Sequence, residues 1–191
     1  MGLIAWAERT AGMLLADVGT RWAHVRCAGM QAAAVAAAVP PQDRELLVAS
    51  ALVHDIGYAP ALSHTGFHPL DGARWLRSQG APERMACLVA HHTAAAIEAD
   101  RRGLTSELQA FEQEESATAD ALWYADLTSG PDGSTITFQR RAGEILDRYE
   151  PGSIVHDSIS EALPLLRGAV ERTQGRLGSQ PRWGVPLGSR A

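Results

Sequence analysis

The sequence predicts an all-α fold, a single domain of roughly eight to ten helices. Apolar residues recur at helical spacing along most of the 191 residues, and strand-type alternation is nearly absent. Alanine is abundant and aromatic residues make up only 6% of the chain, a composition that favours closely packed helices over a β-sandwich. Glycines and prolines fall where the periodic segments end, which indicates the limits of each helix.

Breaks in the periodicity divide the first half of the chain into four helices. Gly19 separates the first two, and Pro40-Pro41 stops the second. Asp43 and Glu45 suit the positive end of a helix dipole, so they mark the start of the third. The predicted helices cover approximately 3–16, 21–39, 42–55 and 69–80, with a loop over 57–66.

The second half of the chain continues in the same way. Pro82 suits the first turn of a helix and starts the one that carries His91 and His92. The predicted helices cover approximately 82–92, 93–102, 106–111, 116–127, 137–149 and 154–176, with a turn over 129–133. Residues 178–191 are rich in glycine and proline and have no apolar period. We therefore predict one domain over 1–177 and a flexible tail over 178–191.

Charge and apolar content restrict the partners of the protein. The net charge is −5 and no block of basic residues occurs, so no nucleic-acid partner is expected, whereas a small phosphorylated substrate needs only a local patch. No apolar stretch is long enough to span a bilayer, and the apolar N-terminus is interrupted by Glu8 and Arg9, so we expect no membrane partner and a cytoplasmic location. Cys27 and Cys87 fall among apolar helical residues, which predicts buried, reduced thiols. The sequence leaves the oligomeric state open.

An ordered series of histidines and aspartates is the strongest functional signal. The dipeptide His54-Asp55 follows an apolar helical run and precedes Gly57, so an imidazole and a carboxylate lie side by side where a helix ends. Five of the seven histidines belong to the series. Its members are His24, His54, Asp55, His68, His91, His92 and Asp126.

These residue types predict a metal site. An aspartate has two oxygens and can bridge two cations, while each imidazole binds one of them. Nitrogen and oxygen ligands without a thiolate suit Fe, Mn, Zn or Mg, and the mixture of imidazole with carboxylate favours a transition metal. Two neighbouring ions lower the pKa of a bridging water and bind a phosphoryl oxygen, which is the two-metal route to phosphoester hydrolysis.

Several members of the series have a second interpretation. His54 and Asp55 would also suit a helix C-terminus, Asp126 would suit a helix cap, and His24 would suit a hydrogen-bonded core position. His64 competes with His68 for the same role in one loop. Adjacent residues on a helix point about 100° apart, so His91 and His92 reach one ion together only at a helix end or a distortion.

The chain resembles the HD-domain metal-dependent phosphohydrolases over about residues 21–130. His24, His54-Asp55 and Asp126 match the order and spacing of the residues that hold the first metal in that family. The stretch His54-Asp55-Ile56-Gly57 is similar to the start of the motif in the HD-GYP branch and in the HD-type dinucleoside tetraphosphate hydrolases. A helix start with a second-metal histidine is similar to His68-Pro69-Leu70-Asp71-Gly72-Ala73, and a second-metal pair is similar to His91-His92.

This resemblance implies an all-helical bundle around a buried dinuclear site, in which Asp55 bridges two divalent ions, Fe, Mn or similar. Two departures concern the substrate. Tyr58 stands where those branches usually have lysine, and residues 93–96 replace the Gly-Tyr-Pro element. Both argue against hydrolysis of cyclic di-GMP.

The function predicted from the sequence is metal-dependent hydrolysis of a phosphomonoester or phosphodiester in a nucleotide or other small phosphorylated metabolite. Asp55 and His54 are the expected catalytic residues, with a hydroxide between the ions as nucleophile. Tyr58, His64 and Arg26 are the candidates for substrate binding. The basic pairs Arg101-Arg102 and Arg140-Arg141 are interpreted as solvated surface. One alternative is a mixed-valent di-iron oxygenase of the same fold, and another is a regulatory nucleotide-binding module with a vestigial metal site.

Overall fold

A computed structural model describes residues 1–178, and α-helices account for most of this length. The described helices are α1 (Leu3–Leu15), α2 (Arg21–Ala34), α3 (Arg44–Val53), α4 (His68–Ser78), α5 (Glu83–Ala90), α6 (Ala95–Arg101), α7 (Thr105–Leu108), α8 (Ala117–Leu127), α9 (Phe138–Arg148) and α10 (Ile154–Gly178). Among these residues there is no strand, only an isolated antiparallel bridge between Ser129 and Thr135. The all-α prediction is therefore confirmed.

The predicted domain limits stay a prediction. The tail expected over 178–191 lies outside the described residues except for Gly178, where α10 ends. Within the described part of the chain, no helix has the length and apolar character that a membrane span requires. Cys27 and Cys87 are buried and unpaired, as the sequence predicts.

The second helix is shorter than predicted. It ends at Ala34, and a separate 3₁₀ turn follows over Ala36–Ala38. Val39 is extended, with φ −116° and ψ 159°, because the ring of Pro40 excludes the helical conformation for the residue before it. The apolar periodicity continues through this turn, so the sequence pattern predicts one continuous helix over both segments.

Three apolar clusters hold the helices together. The first joins α1, α3, α4 and α5 through buried side chains such as Leu15, Leu70 and Met85. A second lies between α2, α3 and α8, and a third joins α8, α9 and α10 around Leu127 and Leu166. Helix α2 packs on α3 and α8, so the ends of these three helices meet in the interior of the protein.

Two glycines bring the end of α3 against the start of α4. A 3₁₀ turn over Ile56–Tyr58 packs directly on the backbone of α4. A Cβ atom at Gly57 would lie 2.0 Å from the carbonyl oxygen of His68, and one at Gly72 would lie 3.2 Å from the backbone nitrogen of Gly57. Only glycine permits this approach. The contact sets Asp55 and His68 next to each other.

Candidate metal centre

Three helices direct polar side chains to one buried point. His24 is on α2, His54 follows the last residue of α3, and Asp126 is on α8. All three are at least nine-tenths buried. Asp126 Oδ1 lies 3.1 Å from His24 Nε2 and 3.7 Å from His54 Nε2. These atoms are close enough to share one cation.

Asp55 lies between this group and a second one. Its Oδ2 is 3.7 Å from His24 Nε2, while its Oδ1 is 3.5 Å from His54 Nε2 and 3.2 Å from His68 Nε2. Oδ1 is also 3.9 Å from Nε2 of His92. The two oxygens of one carboxylate thus face imidazoles from different elements, which is the arrangement that a bridging ligand requires.

The second group consists of Asp55, His68 and His92. The Nε2 atoms of the two histidines are 3.2 Å apart. The ligand atoms of all three residues lie within 4.8 Å of one another, as do those of His24, His54 and Asp55 and those of His54, His92 and Asp126. The side chain of His68 is 19% exposed, whereas that of His92 is only 3% exposed. The second group therefore lies nearer the surface.

Backbone carbonyls set the ring orientation of three histidines. Nδ1 of His24 donates to Gly130, that of His54 to Ala51 and that of His92 to Val89, over 3.3, 2.8 and 2.6 Å. In the neutral rings this leaves the Nε2 lone pair directed at the cluster.

The chemistry of these donors fits a metal ion. His54 Nε2 is buried and has no hydrogen-bond partner among the described residues, and a buried polar atom left unpaired is costly. A cation coordinated by Nε2 would remove that cost. The donor set, imidazole nitrogens and carboxylate oxygens, suits a transition-metal ion.

The two buried carboxylates of the cluster stay ionised, as metal ligands must be. Burial opposes ionisation of the Asp55 carboxyl, but His54 and Arg21 outweigh it and hold its pKa well below the ordinary value. The pKa of Asp126 is likewise lowered, against the effect of burial, by its hydrogen bond to His24 and by the charge of the neighbouring His54. Burial would lower the pKa of His54, yet Asp55 and Asp126 raise it to about 9. Burial and the neighbouring His54 and His68 lower the pKa of His92 to about 3, so its ring stays neutral.

A strained turn follows His92. Helix α5 ends at Ala90, and Thr93 and Ala94 then adopt left-handed φ values of 51° and 57°. Such a conformation is unusual for alanine and a genuine outlier for a β-branched threonine. The turn directs His92 into the cluster and lets the Thr93 hydroxyl donate to Asp126 Oδ2.

The structure does not bring His91, the other expected ligand of this pair, to the cluster. His91 Nε2 donates to the carbonyl of Phe111 over 2.9 Å, and the residue belongs to none of the three ligand groups. Adjacent helical residues point about 100° apart, and the left-handed residues come after both histidines, so the His91 ring is not brought to the cluster.

Of the three predicted substrate-binding residues, the structure brings only Tyr58 to the site. Tyr58 stacks on His68, with ring centroids 4.0 Å apart. Arg26 is exposed and packs on Trp22, because two residues along a helix from His24 correspond to about 200° of rotation. His64 is also exposed; its backbone N–H donates to the carboxylate of Asp71.

Sequence reasoning did not identify the arginines that line the site. Arg21 Nη1 donates to Asp55 Oδ2 over 2.6 Å, and its guanidinium lies 3.7 Å above the Tyr58 ring. Its position three residues before His24 on α2 was a usable signal, since residues at this spacing share a helix face. Arg141 is 4% exposed, so its interpretation as solvated surface is wrong. Arg102 and Arg148 also line the cavity over the cluster.

The cavity has a volume of about 260 Å³ and opens beside Asp55, His68, His92 and Asp126.

A model of the HD domain family matches residues 21–126, which is more than half of the chain. The match begins at Arg21 and ends at Asp126, so it includes every candidate ligand and excludes α9 and α10. Neither the search of curated proteins nor that of solved structures gives a match.

Proposed function

Because the chain belongs to the HD domain family, whose members are mostly metal-dependent phosphohydrolases, we propose that it hydrolyses a phosphomonoester or phosphodiester. A nucleotide or another small phosphorylated metabolite is the proposed substrate. The observation that carries this proposal is Asp55, whose two oxygens face imidazoles of two different groups. The buried His/Asp cluster is of the kind that holds divalent metal ions in this family.

We assign a pair of divalent ions to the cluster. His24, His54 and Asp126 would hold the first, His68 and His92 the second, and Asp55 both. Fe, Mn or a similar transition metal suits these ligands. Such a pair, when bound, activates water as a nucleophile and neutralises charge on the phosphoryl group.

Arg21 and Tyr58 would orient the substrate beside Asp55. Arg21 uses one nitrogen for Asp55, and its planar fork leaves further N–H groups for phosphoryl oxygens at the cavity. The Tyr58 ring holds this guanidinium on one face and the His68 ring on the other, so it fixes their separation. This role for Tyr58 replaces the cationic contact that lysine would have given.

The test is a metal-dependent hydrolysis assay. The full chain is purified without oxygen, its metal content is measured, and samples reconstituted with Mn²⁺ or Fe²⁺ are assayed against phosphomonoesters and phosphodiesters. We expect phosphate release that a chelator abolishes, that Mn²⁺ or Fe²⁺ restores and that needs no O₂. Asp17→Asn, an exposed carboxylate change, is the matched control for Asp55→Asn.

Two results would reject this proposal. Substrate-dependent O₂ uptake without phosphate release would assign the protein to the di-iron oxygenases. Nucleotide binding without turnover, in every metal tested, would make it a regulatory module.

A further inference from the structure

Helices α9 and α10 build a wall of the cavity that is chemically unlike its metal-binding floor. The largely apolar members of the wall are Ile145 and Tyr149, at the end of α9, and Val155 and Ile159 on α10, while Arg148 of α9 also lines the cavity and pairs with Glu144. Val155 and Ile159 are four residues apart, so they share one face of α10. We call these four largely apolar residues the apolar wall.

The three core clusters do not account for the apolar wall, although Ile159 itself is buried. The third core cluster uses other residues of the same helices, Phe138 and Ala142 on α9 and Leu166 on α10. None of the three clusters found among the described residues contains a member of the apolar wall. Ile145, Tyr149 and Val155 are only half-buried. Their remaining apolar surface borders the cavity.

Arg141 marks the boundary between the floor and the apolar wall. It lies one helical turn before Ile145, on the same face of α9. Its Nη1 donates to Glu144 over 2.6 Å and its Nη2 is 3.9 Å from Asp126 Oδ1, while the buried Nε has no partner among the described residues. A buried guanidinium with unused donor capacity beside the cluster suits a phosphoryl oxygen. The rest of the ester would then lie against the apolar wall.

The volume of the cavity limits what can occupy it. Pockets for drug-sized ligands measure about 300–1,000 Å³, and this one measures about 260 Å³. One phosphoryl group and one compact organic group fill such a space, whereas two nucleosides do not.

We propose that the apolar wall selects the alcohol part of the substrate, which is a phosphomonoester of a compact and predominantly apolar alcohol. This inference rests on the proposed function for the nature of the reaction, but its recognition step is separate. The wall belongs to α9 and α10, beyond the residues that match the family. Family members that share the floor therefore need not share this specificity.

The test measures binding rather than turnover. Butylphosphonate and 3-hydroxypropylphosphonate have the same chain length and differ by a methyl group against a hydroxyl. Calorimetric titration of each into the Mn²⁺-loaded full chain should show at least about tenfold tighter binding of butylphosphonate, because three of the four wall residues, Ile145, Val155 and Ile159, have no hydrogen-bonding group for the hydroxyl. Equal affinities, or tighter binding of the hydroxyl compound, would overturn the proposal.

Variants of the apolar wall locate the effect. Val155→Ala removes two methyl groups and should weaken the binding of butylphosphonate by about tenfold. Its effect on the binding of 3-hydroxypropylphosphonate should be less than about threefold. Ile145→Ala is a second variant with the same expected selectivity. Ile154→Ala, an exposed neighbour on α10, is the matched control and should change neither affinity. If Ile154→Ala acted like Val155→Ala, the wall would not be the recognition surface. Tight, selective phosphonate binding without hydrolysis of any phosphoester would reject the proposed function and leave the wall intact.

Discussion

The two candidate ion positions are built in different ways. The first uses His24, His54 and Asp126, which buried helices hold and whose imidazoles are fixed by backbone carbonyls. The second uses His68, which is partly exposed and held by stacking on Tyr58, and His92, which a strained turn directs inward. Helix packing thus supports the first position and local turn geometry supports the second. We expect the first to bind its ion more tightly and the second to be the one that meets substrate.

The largest effect is expected where the two positions share a ligand. Asp55→Asn removes the negative charge between them and leaves one carbonyl oxygen, a much weaker ligand. We predict loss of most bound metal and a fall in phosphoester hydrolysis to background, measured by metal analysis and phosphate release. The Asp17→Asn control should retain both. Full metal occupancy and wild-type turnover in Asp55→Asn would remove the basis for a bridging carboxylate.

Replacing a single ligand of the second position should remove its ion and leave the ion at the first position bound. His68→Ala is predicted to lower the metal content from about two ions per chain to about one, following the two-ion template, and to abolish hydrolysis. His64→Ala is the matched control, an exposed histidine in the preceding loop that should change neither quantity. If His64→Ala removed the ion and His68→Ala did not, the assignment of the loop histidines would have to be reversed.

Gly57→Ala tests whether turn geometry supports the second position. The new Cβ would lie 2.0 Å from the carbonyl oxygen of His68, a backbone atom, so α4 must move away and take His68 with it. We predict a loss of stability of at least about 1–3 kcal/mol, as for other overpacked sites, and weaker binding of the second ion.

The control for Gly57→Ala is a glycine substitution that should raise the stability of the protein. Gly175 is an exposed helical glycine on α10 with nothing within 4 Å of an added Cβ. Gly175→Ala should therefore stabilise the protein by about 0.5–1 kcal/mol. Thermal unfolding and metal titration measure both effects. A Gly57→Ala protein with wild-type stability and metal content would show that the close approach is not needed.

The smallest predicted effect is a difference in proton release between the positions. The pKa of His54 without metal is raised to about 9, so this imidazole is protonated below that pH and must lose its proton to bind an ion. Affinity at the first position should rise about tenfold per pH unit between pH 6 and 8. His92, with a pKa of about 3, adds no such dependence at the second.

Calorimetry in buffers of different ionisation enthalpy measures the released protons. At pH 8 the first ion should release close to one proton, and the second should release fewer. Equal release from the two ions would contradict the difference between His54 and His92.

Most of the fold could be predicted because helix limits in this chain coincide with residue types that stop or start helices. Pro40 and Gly80 are such cases, and the start of α8 is fixed by Ser116, whose hydroxyl accepts from the backbone N–H of Ala119. The sequence also predicts the end of α5 to within two residues, but not the backbone conformation that follows it. Thr93 and Ala94 carry no glycine signal for their left-handed conformation, so only the three-dimensional contacts determine it.

The candidate site, like the fold, contains residues that the sequence predicts and residues that only the three-dimensional packing determines. A linear motif with fixed spacing identified His24, Asp55 and Asp126 as candidates. Which of His91 and His92 faces the cluster depends on the chain conformation after α5, and no residue type in the sequence indicates that conformation. Arg141 was missed because its approach to Asp126 depends on how α9 packs on α8, and nothing in the local sequence reports that packing.

The central claim is that Asp55 joins two unequal ion positions, and titration of the metal-free full chain with Mn²⁺, followed by electron paramagnetic resonance, tests it most directly. We predict that the first equivalent gives the spectrum of an isolated ion. The second, weaker equivalent should convert it to an exchange-coupled spectrum, which Asp55→Asn abolishes. A single equivalent at saturation, or two that remain magnetically isolated, would contradict the account.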